Sequence, residues 1–154
     1  MRTENSNTVT AIMLVLEFLI VDLPGVLKMI PYCSCSQAAA CYLETISQNI
    51  SGYLVIADEE PALDTLSDCF CHVLQALKDR SLLSPQVVVS TYNCLEYIKP
   101  ARELTIEFTH VYLMVFQQNQ LRYQTSCDDE GVRREFEAYF RVFVNFLSRE
   151  LGTR

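Results

Sequence analysis

The stretch "EEPALDTLSDCFCHVLQALKD", residues 59–79, gathers two cysteines, a histidine and three aspartates. Metal sites and nucleophilic centres are built from such side chains. Zinc needs thiolates and imidazoles that converge, commonly from cysteines two to four residues apart on a turn. Cys69 and Cys71 are two apart in a helical pattern, which turns their side chains about 200° from one another around the axis. An intact helix therefore does not let them share one ion. Cys33 and Cys35, in a loop beside Pro31, would complete a four-thiolate set with them only if that helix were broken. Burial as small apolar side chains is the simpler fate for these thiols. No metal or other cofactor is assigned.

Nucleophilic catalysis needs a nucleophile, a base and an orienting group that meet in space. The only histidines, His72 and His110, both fall in the middle of helical patterns. A thiol enzyme using Cys71 or Cys94 stays open as a competing reading, without a glycine elbow to support it. Four glycines, each standing alone, cannot build a phosphate-binding loop. Asp58, Glu59, Glu60, Asp64 and Asp68 suit the positive end of a helix dipole better than a paired-carboxylate site. No catalytic residue is assigned, and the chain is expected not to be an enzyme.

Composition favours helices that bury one another. Half of the 154 residues are apolar and a fifth are charged, the balance of a globular domain. The scarcity of glycine and proline disfavours a β-sandwich, which needs a turn every ten residues or so. Seven cysteines with no regular spacing suggest free thiols in a reducing compartment, cytoplasm or nucleus. A formal charge of −7 argues against direct nucleic-acid binding and for protein partners with basic surfaces. The run "AIMLVLEFLIV" (11–21) is too short to span a bilayer and carries Glu17. No membrane association is expected.

The spacing predicts a single all-α domain over 1–154. A first helix covers about 8–21 and ends at Pro24-Gly25, and a short apolar piece, Val26 to Ile30, precedes Pro31. A second helix is capped by Ser36, buries Ala39, Tyr42, Leu43 and Ile46, and breaks at Ser51-Gly52. A third opens at Pro61 with Leu63, Leu66, Phe70, Val73 or Leu74, and Leu77 inward. Ser84-Pro85 starts a fourth, with Val88, Tyr92, Leu95 and Ile98 on its buried line. From Pro100 a fifth buries Leu104, Phe108, Val111, Tyr112, Val115 and Phe116. The last helix is expected to bury Val132, Phe136, Tyr139 or Phe140, Phe143, Phe146 or Leu147, and Leu151.

Pro61 and Pro100 lie thirty-nine residues apart (61 to 100). At that offset Ala62 meets Ala101, Asp64 meets Glu103 and Asp68 meets Glu107. A period near forty with one helical hairpin is the size of a HEAT or armadillo unit. The expected architecture is a right-handed stack of antiparallel hairpins, 8–50, 61–98 and 100–151, forming an α-solenoid segment. Any two proline-started amphipathic helices also show matched apolar positions, so the repeat is an expectation to be tested. On the last helix Arg134, Glu137, Arg141, Asn145 and Ser148 share a polar side at helical spacing. Arg134, Glu137, Arg141 and Asn145 are the candidate protein-binding residues, on a groove between the helices at 85–98 and 131–151.

"LEFLIVDLPGV" (16–26) and "LDTLSDCFCHVL" (63–74) resemble the transportin and exportin branches of the importin-β superfamily. The resemblance covers about two dozen residues, mostly apolar helix pattern. It implies HEAT repeats, a cargo, a Ran-type GTPase and phenylalanine-glycine nucleoporins as partners, with none of these contacts assignable to a residue. A compact Bcl-2-like bundle that binds one amphipathic helix is the main competing architecture.

Overall fold

The computed structural model describes residues 22–56 and 60–152. These form six α-helices and one turn of 3-10 helix, with no strand among the described residues. They are α1 (Leu23–Met29), the 3-10 turn (Ile30–Tyr32), α2 (Ser36–Ile56), α3 (Glu60–Asp79), α4 (Pro85–Leu95), α5 (Arg102–Thr125) and α6 (Glu130–Gly152). The all-helical class is as expected. The helix expected over 8–21 lies outside the described residues.

The helix ends correct two expectations. Asp22 is an N-cap whose Oδ1 accepts from the Gly25 amide at 3.0 Å, so Pro24 and Gly25 stand inside α1. Proline suits this first turn, where the missing N–H had no helical partner. The break expected at Ser51-Gly52 does not occur, and α2 runs on to Ile56. One interior glycine costs only about 1 kcal/mol, less than the fully buried Ile46 and Ile50 gain by holding the helix against its neighbours. Ser84 behaves as read, its Oγ accepting from the Val87 amide at 3.2 Å.

Packing joins helices that are two apart along the chain. α2 packs most extensively on α4, α3 on α5, α1 on α3 and α4 on α6. The odd and even helices thus make two rows, cross-linked by α4 against α5 and α5 against α6. Two of the pairs within rows, α4 with α6 and α3 with α5, run parallel. Gln86 Nε2 meets Glu135 Oε1 at 2.5 Å near the starts of α4 and α6, and Arg149 bonds the Leu95 and Ile98 carbonyls at their ends. In the odd row, Ser67 Oγ accepts from the Ala101 amide before α5, and Lys78 reaches Glu107 farther along. α5 and α6 run antiparallel, since Phe108 packs on Phe146 while Phe116 packs on Tyr139. α3 and α4, expected to be hairpin partners within 61–98, are not among the closely packed pairs of the described residues.

The buried lines of α3 and α5 superpose at a different offset from the one the prolines suggest. Leu66, Phe70, Val73, Leu74 and Leu77 are buried on α3, and Leu104, Phe108, Val111, Tyr112 and Val115 on α5. Each pair is thirty-eight residues apart (66 to 104), and three of the five pairs are identical in type. His72 and His110 fall in the same register, and both are exposed. Prolines mark where a helix begins, and the loops before them need not be equal. The buried line marks where it packs.

The last helix departs most from its expected orientation. Tyr139 and Val142 are its buried residues, with Phe146 half-buried against Tyr92 and Phe108. Phe136, Phe140, Phe143 and Leu147 are exposed instead. α6 carries two apolar lines at helical spacing: among the described residues one is enclosed, and the other touches α5 only along one edge.

Candidate protein-binding face

Three sectors divide α6. Its inward sector is Glu135, Tyr139, Val142, Phe146 and Arg149. Glu135 accepts from Gln86 of α4 and is ion-paired with Arg122 of α5, so one carboxylate ties three helices together. Arg149 Nη1 donates to the Leu95 carbonyl at 2.6 Å, and Nη2 donates to the Ile98 carbonyl. The guanidinium thereby caps the chain end of α4, adding a charged donor to the Leu95 carbonyl, which also accepts from the Ile98 amide at 3.3 Å, and supplying one to Ile98. Sequence reading passed over both residues, because a charge on a helix is read as solvent-facing. Their interruption of the line Val132, Tyr139, Val142, Phe146 was the available signal.

The second sector is polar. Arg134, Glu137, Arg141 and Asn145 are all exposed, at spacings that set them along one side of the helix. Arg134 pairs with Glu130 of its own helix at 2.6 Å, and both side chains are more than two-thirds exposed. Such a pair contributes little to stability. Its side chains are open to a partner.

The third sector is apolar and exposed. Phe140 is 52 % exposed, and Phe136, Phe143 and Leu147 lie between 37 % and 41 %. Phe136 stands edge-on to Tyr123 of α5, and Phe143 stacks on Tyr112, with ring centroids 5.1 and 6.0 Å apart. These contacts hold each ring by one side and leave the other to solvent. Aromatic rings fixed in this way lose little further entropy when a partner covers them, which is why they serve as interface anchors.

A separate groove of about 600 Å³ lies between α1, the 3-10 turn and α3. Pro31, Val73 and Ala76 contribute to its apolar surface, while Lys28, Arg80, Asp68 and Asp79 bring charges of both signs. Arg80 sits over the Tyr32 ring, 5.4 Å from its centroid. His72 Nδ1 is 2.7 Å from the Asp68 carbonyl and so donates to it. Neither sign of charge dominates, so the groove favours no single class of ion.

The thiols face different neighbours. Cys69 lies near Lys28 and Asp22, at α1, whereas Cys71 lies near Glu107 and Glu103 of α5. Among the described residues no cluster of three or more His, Cys, Asp or Glu side chains is arranged to hold a metal ion. Burial, with the neighbouring carboxylates, pushes the Cys71 thiol up to about 11. Cys94 is buried deeper, is raised further for the same reason, and donates its S–H to the Leu43 carbonyl at 3.2 Å. A raised thiol holds its proton at neutral pH and is a poor nucleophile. No helix among the described residues is long and apolar enough to cross a membrane. No family model, no curated protein and no solved structure matches the chain.

Proposed function

We propose that this chain is a segment of a HEAT- or armadillo-like α-solenoid that acts as a non-catalytic scaffold for protein partners, of the kind found in nuclear transport receptors. The observation that carries this reading is the parallel course of helices two apart in sequence, clearest in the bonds at both ends of the α4–α6 pair. Stacked hairpins produce that arrangement, because each repeat lays its two helices beside the same two helices of its neighbour. The thirty-eight-residue register between α3 and α5 is of HEAT-repeat length and supports it independently.

Binding is assigned to the even row, where Arg134, Glu137, Arg141 and Asn145 line the exposed side of α6. The acidic chain selects partners with basic surfaces, and these arginines give local docking points for carboxylates. Cargo, a Ran-type GTPase and phenylalanine-glycine segments are the partners that the transport reading implies, in the cytoplasm or nucleus.

Three measurements test the proposal. Scattering should give a radius of gyration above the roughly 15 Å of a globular chain of this length, and a value at or below that figure would remove the solenoid. Proteins captured from native extract should be lost on Arg134→Glu with Arg141→Glu, with helicity unchanged. An unaltered set would remove the ridge. If the GTP form of a Ran-type GTPase fails to bind in calorimetry, the transport assignment goes and a general scaffold remains.

A further inference from the structure

The exposed apolar line of α6 has an order that reads the same from either end. Arg133, Phe136, Phe140, Phe143, Leu147 and Glu150 are spaced three, four, three, four and three residues apart. This alternation is the a/d seam of a coiled coil, in which two helices bury a shared stripe. Turned end for end and laid on itself, the line puts Phe136 against Leu147 and Phe140 against Phe143. Its two ends carry opposite charges, the exposed Arg133 and the half-buried Glu150, which is already engaged within its own chain, and the same operation sets each arginine beside a glutamate. A parallel pairing would set arginine on arginine and glutamate on glutamate.

We propose that α6 pairs antiparallel with α6 of a second copy of this chain, through Phe136, Phe140, Phe143 and Leu147. This symmetry selects a second copy over an unrelated helix, because one patch supplies both halves of an isologous contact and both salt links. From their partial exposures the four side chains, with neighbouring Val144, offer about 400 Å² of apolar surface. A stable dimer buries about 800 Å² per partner. The apolar line therefore accounts for the centre of such an interface and the polar flanks for its rim. The pairing uses the exposed sides of rings whose other sides rest on α5, so it requires no change in how α6 packs on α4 and α5. It does not depend on the scaffold reading.

Sedimentation of the full chain is the test. A reversible dimer is expected at about 100 μM, dissociating on dilution towards about 1 μM. Phe140→Glu, at a site that is half exposed, should leave helicity intact and the chain monomeric throughout. Arg133→Glu should weaken the dimer about tenfold by placing carboxylates together at each end. Adding Glu150→Arg to it should restore the affinity. A chain that stays monomeric at every concentration overturns the proposal and leaves the face to another occupant, such as a further hairpin. A dimer indifferent to Phe140→Glu overturns it as well, and failure of the charge swap to restore affinity overturns the antiparallel register.

Discussion

Tyr112 and Tyr139 each donate their hydroxyl to the other's backbone carbonyl, across two antiparallel helices. The Tyr112 bond is 2.8 Å, the reciprocal bond from Tyr139 closes the pair, and the rings stack with centroids 4.2 Å apart. Both hydroxyls are thereby satisfied inside the core, where an unpaired one would be costly. This exchange fixes which side of α6 faces α5. Tyr112→Phe and Tyr139→Phe should each destabilise the chain by about 1–2 kcal/mol in urea unfolding. The double variant should cost less than the sum, because each hydroxyl holds the geometry in which the other bonds. Strict additivity would show that the two bonds act independently.

Arg149 should matter more than an ordinary surface arginine. Arg149→Ala removes the donors to Leu95 and Ile98 and should cost about 1.5–3 kcal/mol, the range for charged hydrogen bonds. Arg134→Ala, on the exposed side of the same helix, should change stability by less than about 0.5 kcal/mol. Equal effects of the two substitutions in urea unfolding would contradict the placement of α6.

The turn after α3 holds the one non-glycine residue with positive φ among those described, Ser81 at 57°. Leu82 donates back to the Leu77 carbonyl at 2.9 Å and Ser81 to Lys78, closing a helix end that normally takes glycine. Ser81→Gly should therefore raise stability by about 0.5–1 kcal/mol, read as a higher melting temperature. A loss of stability would mean that the serine side chain contributes more than the strain it carries.

Alkaline pH should destabilise the fold before neutral pH does. Burial, and secondarily Cys35, pushes the Cys33 thiol up to about 11, and Cys71 is raised to a similar value by burial and nearby carboxylates. Burial also lifts the Tyr112 phenol to about 12. The unfolded chain releases these protons near 9 for thiols and near 10 for phenols, so above about pH 9 it binds fewer protons than the folded chain. The contribution of these groups is therefore whole below about pH 9 and is lost progressively up to about pH 12. Melting temperatures across that range should fall, and a flat profile would be inconsistent with these shifts. In the native state at neutral pH, a thiol reagent should label the exposed Cys35, Cys41 and Cys127 first and Cys94 last. Rapid labelling of Cys71 or Cys94 would instead support the thiol-enzyme reading.

The register of the repeat can be tested by substitution. Phe70→Ala and Phe108→Ala, at matching and fully buried places, should each cost about 3–5 kcal/mol. Leu113→Gln, which copies Gln75 at the same offset, should cost less than about 0.5 kcal/mol because Leu113 is 54 % exposed. A large cost at Leu113 in thermal unfolding would favour the thirty-nine-residue offset set by the prolines.

Much of this molecule was legible in the order of its residues. The inward lines of α4 and α5 fall where the three-and-four spacing puts them, with Phe116 half-buried rather than enclosed. Ser84-Pro85 starts its helix as a cap followed by a proline should. These features are local, since hydrogen-bonding geometry and helical period act over a few residues. On α6 the local rules gave two answers, because Tyr139 with Val142 and Phe136 with Phe140 both keep helical spacing. Only the neighbouring helices could choose between them. Tyr139 finds a carbonyl on α5 for its hydroxyl, and Arg149 and Glu135 find partners on α4 and α5, while the phenylalanine line needs nothing but an apolar cover. Period can say that a side chain is buried by something. Which surface buries it is decided by where other helices bring their unsatisfied groups, and that depends on residues far away in the chain.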